Sequence, residues 1–493
     1  MRNISVCLSS IVMVFLICVP VGISTEEIMK TEQMQYSFTD YDPLVDVNIT
    51  IDIQAIRALD RIDLFSDPDF FVKIFVNTAE FISPIWNDSR YIYNCYTITT
   101  DVPDDVAFVD IIIQLWDYDE GKNTLCDISK VANTNSSGCD IHLLYDIRTG
   151  RWSGDNTHVG DSTGYGRVCG SADGSIYENE QDCEVWFDIS QNDFDNDTLP
   201  YWIETTVYGT DPTVSDIGDD SDADGIPIEW EHRFGFNPLV WEDHSNIDPD
   251  LDSLNNIEEF LTYRFGSDPF RKDLFLEIDY MQEENGEVRY VTTDALEMVK
   301  NPYHRRNIVF HADTGELDGG DIVPFDSESD FEEVRNIWYT YFLHNNSNDW
   351  RRGVFHYLIF VHDQTPKGFA FSGDVPPYWG YNPGTNSIVL ANTLVEKKSK
   401  LPLKTTDLIV ACLIVHEMGH NFGIRFGKPF GCDNRLTMYP FKIGWYIWRN
   451  YRSVMNYRYT YSILDYSDGS HGKRDYDDWG NIDFSYFEKP NGA

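Results

Sequence analysis

The sequence predicts a multidomain protein: an antiparallel β-sandwich, then a set of acidic loop repeats, then an α/β (α+β) domain. Three observations support this prediction. Residues 44–190 alternate apolar and polar positions in short runs, residues 191–270 hold three aspartate-rich loops at a regular spacing, and residues 271–493 alternate strand-like with helix-like segments. A chain of 493 residues is also too long for a single hydrophobic core.

The N-terminus has the pattern of a secretory signal peptide over residues 1–24, followed by a polar linker over residues 25–43. Arg2 gives a positive start, Val6–Val21 is mostly apolar, and small residues then precede a polar stretch. The apolar run is short for a membrane-spanning helix, so the pattern favours cleavage over anchoring. We therefore expect a secreted, extracellular protein.

The chain is strongly acidic, and this excludes one class of partner. It has 82 acidic and 37 basic residues and a formal net charge of −45. Such a charge repels phosphate, so we expect no nucleic-acid partner. The aspartates are concentrated in particular segments, which favours bound divalent cations over a uniformly solvated acidic surface.

The spacing of the cysteines fits an oxidising compartment. Two of the nine cysteines fall in the predicted signal peptide, which leaves seven in the mature chain. Cys126 with Cys139, and Cys169 with Cys183, lie close enough in sequence to close small loops. We predict a disulfide bond for each pair.

Short alternating runs predict the strands of the sandwich. The clearest are Val47–Ile53, Phe70–Val76 and Val109–Leu115, each bounded by turn residues. Alternation with a period of two is typical of an antiparallel sheet that buries one face. Residues 44–190 therefore form one predicted module.

Two loops of this module carry carboxylates in a familiar arrangement. The string SDPDFFVK begins at Ser66, and the string WDYD begins at Trp116. They resemble the calcium loops of the membrane-binding β-sandwich of protein kinase C and synaptotagmin. The resemblance implies calcium ligands at four aspartates: Asp63, Asp67, Asp117 and Asp119. The spacing departs from the family pattern, since Asp60 and Asp63 flank the expected carboxylate and Asp127 is a candidate for a displaced last ligand. The resemblance also makes a cell surface or a lipid surface a candidate partner.

Three aspartate loops follow at a regular spacing. They start at residues 193, 220 and 248, which are 27 and 28 residues apart, so they form an internal repeat. Each supplies alternate aspartates, an apolar seventh residue and a glutamate at the twelfth place, which matches the six to eight oxygens that calcium takes. The predicted calcium ligands are Asp193, Asp195, Asp197, Glu204, Asp220, Asp222, Asp224, Glu231, Asp248, Asp250, Asp252 and Glu259.

Only the middle loop has glycine at the position of the sharp turn, Gly225, where the others have Thr198 and Ser253. A flexible acidic linker is the alternative reading, and the aromatic residues that follow each loop argue against it. Residues 191–270 resemble the EF-hand-like calcium repeats of thrombospondin-type and bacterial surface proteins. The resemblance implies several structural calcium ions in a stiffening spacer.

From residue 271 the pattern changes to alternating strands and helices. Asp273–Asp279, Phe355–Val361 and Ser387–Ala391 are strand-like, whereas Phe331–Phe342 is helix-like. This alternation predicts a mixed sheet covered by helices.

The most informative motif is H-E-x-x-H, formed by His416, Glu417 and His420. Residues four apart lie one turn apart on the same face of a helix, so both imidazoles can reach one zinc ion. Glu417 lies beside them, where its carboxylate can act as general base toward a zinc-bound water. Gly423 stands where the helix must end for the chain to return toward the metal.

Downstream, the string SVMNY includes Met455 and Tyr457. Together with the HExxHxxG motif it resembles the metzincin zinc metalloproteases, over residues 272–488. The resemblance implies a methionine turn in which Met455 lies beneath a single catalytic zinc. It also implies a catalytic role for Tyr457 near the zinc or the oxyanion of the transition state, and a protein or peptide substrate.

One departure from the metzincin pattern concerns the third zinc ligand. The usual position holds Phe426, which cannot bind zinc. Asp433 is our prediction for the third ligand, because the chain leaving Gly423 passes there and oxygen is an acceptable donor to zinc. His471 is the alternative, and Cys432 is a further candidate.

Two functions remain open from the sequence. The first is a secreted zinc endopeptidase, a hydrolase stabilised by calcium in its accessory modules. The second is a calcium-dependent surface or adhesion protein with a degenerate metalloprotease domain, which the phenylalanine at position 426 motivates. Zinc content together with cleavage of a broad protein substrate discriminates between them.

Overall fold

The computed structural model describes residues 43–131, 138–155, 166–176, 178, 180–317, 319–364, 370–371, 387–402, 404–425 and 427–484. These residues belong to one compact unit, Asp42–Ala493. The predicted signal peptide, nearly all of the predicted linker, and Phe426 lie outside the described residues. Within the described part of the chain, no helix is long and apolar enough to cross a membrane.

The N-terminal module consists of two antiparallel sheets, as predicted. Its strands are β1 (Asn48–Ala58), β2 (Phe70–Val76), β3 (Ala79–Ile82), β4 (Tyr91–Asp101), β5 (Phe108–Asp117), β6 (Thr124–Leu125), β7 (Ile141–Asp146), β8 (Arg151–Gly154), β9 (Gly166–Cys169) and β10 (Cys183–Gln191). One sheet has the order β4-β1-β10-β9, and the other has the order β3-β2-β5-β7-β8 with β6 beside β5.

The two sheets pack face to face. The rings of Trp152 on β8 and Phe187 on β10 lie 5.9 Å apart. The hydroxyl of Tyr145 on β7 lies 3.2 Å from Oε1 of Gln191 on β10. Strand β1 alternates buried and half-buried residues along its first half, as a strand with one face in a core must. The antiparallel sandwich is therefore confirmed.

The predicted disulfide bonds are wrong for this structure, because all seven cysteines of the described residues are free thiols. The strand register explains the second pair. Cys169 is paired with Glu184 across β9 and β10, so Cys183, next to Glu184, points to the opposite face of the sheet. The thiol of Cys183 instead makes a hydrogen bond with Cys126.

The repeat segment is folded, and each acidic loop is followed by a short helix. The three helices are α1 (Tyr201–Ile203, continued by a wider helical turn over Glu204–Tyr208), α2 (Ile228–Phe234) and α3 (Asn256–Thr262). Trp230 is almost fully buried and lies against Phe234, Phe236 and Phe260 at centroid distances of 4.8, 5.6 and 6.3 Å. This aromatic core excludes the flexible-linker reading.

The C-terminal domain is built on a mixed sheet. Its strands are β11 (Lys272–Met281), β12 (Ile308–Asp313), β13 (Ile322–Val323), β14 (Phe355–Val361), β15 (Ala370–Phe371) and β16 (Ser387–Ala391). The order is β12-β11-β14-β16-β15, with β13 beside β11. All pairs are parallel except β15 with β16. Each strand predicted in this domain appears within two residues of its predicted start.

Helices cover both faces of this sheet. They are α4 (Thr293–His304), α5 (Phe331–Ile337, continued over Trp338–Phe342), α6 (Arg351–Val354), α7 (Asn392–Lys398), α8 (Thr406–Asn421) and α9 (Ile443–Ile447). Leu276 and Ile278 of β11 pack in one core with α4 and α8. Phe275 of the same strand packs in a second core with α5. Alternate side chains of β11 therefore belong to different cores, and α8 packs in the core that contains Leu276 and Ile278.

The sandwich packs directly on helix α4 of the C-terminal domain. The Arg57 guanidinium lies 2.5 Å from the Glu297 carboxylate, and both side chains are buried. The Tyr93 hydroxyl donates to the same carboxylate at 2.6 Å. Further along α4, Nδ1 of His304 lies 3.0 Å from the buried Glu184 of β10. Buried, fully paired charges at this boundary hold the two modules in a fixed relation.

Candidate functional site

Helix α8 carries the H-E-x-x-H motif, as predicted. Its first turn is capped by the Thr405 hydroxyl, which accepts a hydrogen bond from the Leu408 amide at 3.2 Å. The helix is buried along most of its length because it enters the core of the domain. His416 and His420 lie one turn apart with ring centroids 5.1 Å from each other. The helix therefore presents both imidazoles on one face.

Two backbone carbonyls set the orientation of the imidazoles. Nδ1 of His416 lies 2.9 Å from the carbonyl oxygen of Val454, and Nδ1 of His420 lies 2.6 Å from that of Ile424. A carbonyl can only accept, so each Nδ1 carries a proton, and each Nε2 is the nitrogen that faces Asp433. Histidine ligands of metals show this arrangement, in which the second nitrogen is fixed by an outer partner.

Gly423 makes the contact to His420 possible. Helix α8 ends at Asn421, and Gly423 has a φ of 90°, in the left-handed region that glycine adopts without strain. The turn brings the Ile424 amide to within 2.9 Å of the Gly419 carbonyl and returns the Ile424 carbonyl to His420. The predicted helix break is confirmed, and its effect is to fix a ligand-type histidine.

Asp433 faces both imidazoles. Its Oδ1 lies 3.1 Å from Nε2 of His416, and its Oδ2 lies 3.0 Å from Nε2 of His420. Among the described residues, Oδ1 makes no hydrogen bond of acceptable geometry although it is buried. Two imidazole nitrogens and a carboxylate thus converge on one point. A donor set of two imidazole nitrogens and a carboxylate is one that zinc takes in proteins.

The electrostatics of the cluster follow from burial and close charges. Burial alone raises the pKa of Asp433, but the two imidazoles outweigh burial and hold the pKa well below its usual range. Burial lowers the pKa of His420, and the Asp433 carboxylate more than reverses this, raising it to about 9. Burial also raises the pKa of Glu417 above its usual value. In the absence of a cation, a proton is drawn into the cluster.

Met455 lies beneath the motif helix. It is fully buried, and a Cβ added at Gly419 would lie 2.5 Å from its sulfur. Only glycine therefore fits between the two histidines at this crossing. Asp433 donates its amide to the Met455 carbonyl at 3.1 Å, so the methionine segment also supports the carboxylate.

Tyr457 lies at the open side of the cluster. Its ring stacks on His416 with centroids 5.9 Å apart, and its hydroxyl makes a hydrogen bond with the Asp433 carboxylate. A cavity of about 420 Å³ opens here, lined by Asp433, Asn434, Arg435 and Tyr457. Phe430 and Phe441, on the segment that flanks Asp433, are 73% and 76% exposed.

His471 does not join the two motif histidines. It belongs to a separate cluster with Asp468 and Asp475, where its Nδ1 lies 2.9 Å from Oδ2 of Asp475. Cys432 is fully buried, and burial raises the pKa of its thiol well above the usual value. Of the three candidates for the third position, the structure brings Asp433 to the imidazoles.

The three acidic loops share one backbone conformation. The first aspartate of each loop accepts the amide five residues on, at 3.2 Å in the first loop, 2.9 Å in the second and 3.1 Å in the third. The residue at that sixth place has a positive φ in every loop: 75° at Thr198, 103° at Gly225 and 84° at Ser253. The first and third loops therefore make the same turn without glycine.

Several carboxylate oxygens in these loops are buried and, within the described part of the chain, make no hydrogen bond. They are both oxygens of Asp195, Asp222 and Glu231, together with Oδ2 of Asp250 and Oε1 of Glu259. Burial and the neighbouring carboxylates raise the pKa of Glu204 to about 8, that of Glu231 to about 8 and that of Asp250 to about 10. Carboxylates that lie close together and have buried oxygens without a hydrogen bond fit a divalent cation at each loop.

Each loop is completed by a more distant residue, which sequence reasoning missed. The amides of Asp216, Glu242 and Asp273 donate to the fifth-place aspartates at 3.0, 3.2 and 2.7 Å. These residues come 19, 18 and 21 positions after the aspartates that they contact. The signal that could have identified them is an acidic residue 18 to 21 positions after the fifth-place aspartate of each loop.

The N-terminal module gathers part of its predicted calcium set. Asp63, Asp117 and Asp119 lie together with ligand oxygens within 4.8 Å of one another. Burial, with the nearby carboxylates, raises the pKa of Asp117 to about 6. Oδ1 of Asp67 instead lies 3.7 Å from Nε of Arg90. Asp127, the candidate for a displaced ligand, forms a different cluster with Asp173 and Glu180.

No protein-family model and no curated protein sequence matches this chain. Among solved structures, human GIVD cytosolic phospholipase A2 matches at 15% identity with a TM-score of 0.19, over 31% of this chain and 18% of that chain. A structure of a C2 domain matches at 10% identity with a TM-score of 0.19, over 30% of this chain and 98% of that one. The calcium-bound pair of C2 domains of Extended-Synaptotagmin 2 matches at 11% identity with a TM-score of 0.20, over 30% of this chain and 47% of that one. These scores are too low to assign a family.

Proposed function

We propose that this protein is a secreted zinc-dependent endopeptidase. The observation that supports the proposal most strongly is the convergence of Asp433 with Nε2 of His416 and His420, while each Nδ1 is held by a backbone carbonyl. Three protein donors and an open fourth position are the ligand set of a catalytic zinc site. The buried Oδ1 of Asp433, 3.1 Å from Nε2 of His416, is placed as a metal ligand would be.

His416, His420 and Asp433 would hold the zinc, whose Lewis acidity would make a water molecule acidic enough to ionise near neutral pH. Glu417 accepts the proton of the attacking water and passes it to the leaving amine, since it is the adjacent carboxylate on the same helix. Tyr457 donates its hydroxyl to the oxyanion that develops on the peptide carbonyl. Met455 and Gly419 hold the motif helix in place beneath the site.

The cavity beside Asp433 suits a peptide chain. It is open to solvent and lined by Asp433, Asn434, Arg435 and Tyr457, and Phe430, whose carbonyl accepts the Asn434 side-chain amide at 2.8 Å, is 73% exposed. Exposed aromatic surface next to a site is typical of a place where apolar side chains of a partner bind. We therefore propose a protein or peptide substrate.

Calcium ions in the acidic loops are proposed to stabilise the fold. The free, buried oxygens of the loops lie between the sandwich and the C-terminal domain in the chain. The third loop is tied directly to strand β11, since Asp252 accepts the Asp273 amide. A cation there fixes the start of the sheet on which helix α8 packs.

The test combines metal content with cleavage of a broad protein substrate. A zinc-selective chelator in excess calcium is expected to abolish cleavage, and added zinc is expected to restore it. A general chelator does not discriminate, because it also strips the loops. Protein that takes up no transition metal at neutral pH would overturn the proposal and leave the second reading, a calcium-stiffened surface protein.

A second, accessory function is favoured by one observation. Phe65 is 99% exposed and Leu64 is 67% exposed at the tip of the loop that carries Asp63. Large apolar side chains beside a calcium-type cluster fit contact with a lipid surface. Calcium-dependent sedimentation with anionic phospholipid vesicles tests this, and Phe65→Ser is expected to weaken it. Binding that is unchanged by Phe65→Ser would exclude this loop.

A further inference from the structure

We propose that the middle acidic loop binds a transition-metal ion of the zinc class rather than calcium, through His244, Asp224 and Glu231. Nε2 of His244 lies 3.1 Å from Oδ2 of Asp224 and 3.8 Å from Oε1 of Glu231, and all three side chains are completely shielded from solvent. Their ligand atoms all lie within 4.8 Å of one another. This set of one nitrogen and several oxygens stands apart from the catalytic cluster.

Asp224 accepts the Glu242 amide through Oδ2 at 3.2 Å, but most of the other polar atoms around this point have no hydrogen-bond partner within the described part of the chain. Among the described residues, Nε2 of His244, both oxygens of Glu231 and both oxygens of Asp222 make no hydrogen bond although they are buried. Burying a polar atom without a partner costs free energy, and burying a charged group costs more. Several such atoms aimed at one point indicate a ligand that the protein itself does not supply.

The neighbouring loops show what is special about the middle one. In the first loop the Thr210 hydroxyl donates to Glu204 at 3.1 Å, and in the third the Ser267 hydroxyl donates to Glu259. The corresponding place in the middle repeat holds Phe236. Glu231 therefore lacks the hydroxyl partner of its counterparts, and the imidazole of His244 lies at its carboxylate instead.

The imidazole is held rigidly in this place. The rings of Trp230 and Phe236 meet it edge-on at centroid distances of 6.4 and 5.4 Å. The side-chain nitrogen of Asn256 lies 2.8 Å from Nδ1, while Oδ1 of the same amide is buried and has no hydrogen bond to any described residue. Rotating the amide by half a turn gives Oδ1 a donor, the Nδ1 proton, and leaves the lone pair of Nε2 facing the carboxylates.

The nitrogen donor decides the kind of metal. Calcium takes oxygen ligands, whereas imidazole suits zinc and related transition metals. The first and third loops offer only oxygens and keep the calcium assignment. The middle loop is the one with glycine at the turn, Gly225, and would be taken from sequence alone as the best calcium loop.

The test uses the whole protein dialysed against zinc in the presence of excess calcium at neutral pH. His244→Asn is expected to lose one zinc per chain while its calcium content stays unchanged and its peptide hydrolysis continues in calcium. His344→Asn is the matched control, since His344 also lies near an aspartate, with its Nδ1 3.6 Å from Oδ2 of Asp349, but on the surface. The control is expected to keep the zinc content of the wild type.

A second measurement on the unmutated protein covers the case in which His244→Asn fails to fold. Crystals grown with zinc and excess calcium are expected to show zinc anomalous scattering beside His244 as well as beside His416. Calcium without zinc in the middle loop would overturn this inference, as would equal zinc content in His244→Asn and wild type. Neither result bears on the proposed catalytic zinc, because the crystal shows the metal position beside His244 separately from the one beside His416.

Discussion

The carboxylate of Asp433 lies 3.0 Å from Nε2 of His420, on the opposite side of a turn that begins at Gly423. The same turn returns the Ile424 carbonyl to Nδ1 of His420. One segment therefore both orients a histidine of the helix and supplies the third donor. This relationship leads to the central expectation that zinc binds where the two imidazoles and the carboxylate converge.

Glu417→Gln is expected to keep zinc and lose turnover. Glutamine has nearly the same shape but cannot accept the proton of the attacking water, and general-base catalysis contributes about 10²–10⁴-fold. Zinc content and the rate of peptide cleavage are measured on the same sample. Glu332→Gln, at an exposed glutamate of helix α5, is the control and should retain full activity. Undiminished cleavage by Glu417→Gln would contradict the proposed role.

Asp433→Ala is expected to weaken zinc binding by more than the roughly 10–100-fold that loss of an outer-shell partner costs. The reason is that Asp433 contacts the metal position itself. His471→Ala is the matched comparison, because His471 was the alternative ligand and lies in a separate cluster. Competition titration with a zinc-selective chelator measures both affinities. A loss of affinity in His471→Ala but not in Asp433→Ala would reverse the assignment.

The calcium-free protein is expected to lose stability as pH rises from about 4.5 to about 8. Burial and neighbouring carboxylates raise the pKa values of Glu204 and Glu231 to about 8, so the folded state binds more protons than the unfolded state across this window. Their stabilising contribution is complete below about pH 4.5 and is lost as pH approaches 8. Glu297, whose pKa is lowered to about 2 mainly by Arg57, acts in the opposite direction only at lower pH.

Urea unfolding with a calcium chelator, between pH 5 and 9, measures this dependence. The same series in saturating calcium is the control, and there the slope should be smaller, because calcium bound in the first loop keeps Glu204 ionised. Part of the slope should remain, since burial outside the loops also raises carboxyl pKa values, that of Glu277 to about 9. If the free energy of unfolding of the calcium-free protein instead rises through this window, the loop carboxylates do not hold protons in the folded state.

Ser253→Gly is expected to stabilise the calcium-bound protein by about 1 kcal/mol. Ser253 has a φ of 84°, and a residue with a Cβ pays about 1–2 kcal/mol in the left-handed region. Gly225→Ala is the matched reverse change, since the nearest atom to an added Cβ there is 3.8 Å away and only the backbone is strained. Urea unfolding in calcium should show a higher free energy of unfolding for Ser253→Gly and a lower one for Gly225→Ala. Changes of the same sign in the two variants would contradict the explanation.

Local features of the sequence predicted much of this fold. Strand β2 spans Phe70–Val76, as its alternation indicated, because burial of one sheet face imposes a period of two. The motif helix ends where Gly423 predicted, because only glycine adopts its φ without strain. The shared loop geometry followed from aspartates at fixed positions, since their side chains bond amides within the same loop.

Residues that meet only in three dimensions were not predictable from such patterns. His244 reaches Glu231 because the aromatic core around Trp230 places it there, and no local pattern marks it. The disulfide prediction used sequence distance, whereas the register of β9 and β10 places Cys169 and Cys183 on opposite faces. The third zinc donor was left among three candidates because the turn after Gly423 had to be seen to choose between them.

Crystallography at the zinc absorption edge tests the central claim most directly, on protein grown with zinc and excess calcium. We predict an anomalous peak within bonding distance of Nε2 of His416, Nε2 of His420 and a carboxylate oxygen of Asp433. The absence of any peak at that position, or a metal held there without Asp433, would contradict the account.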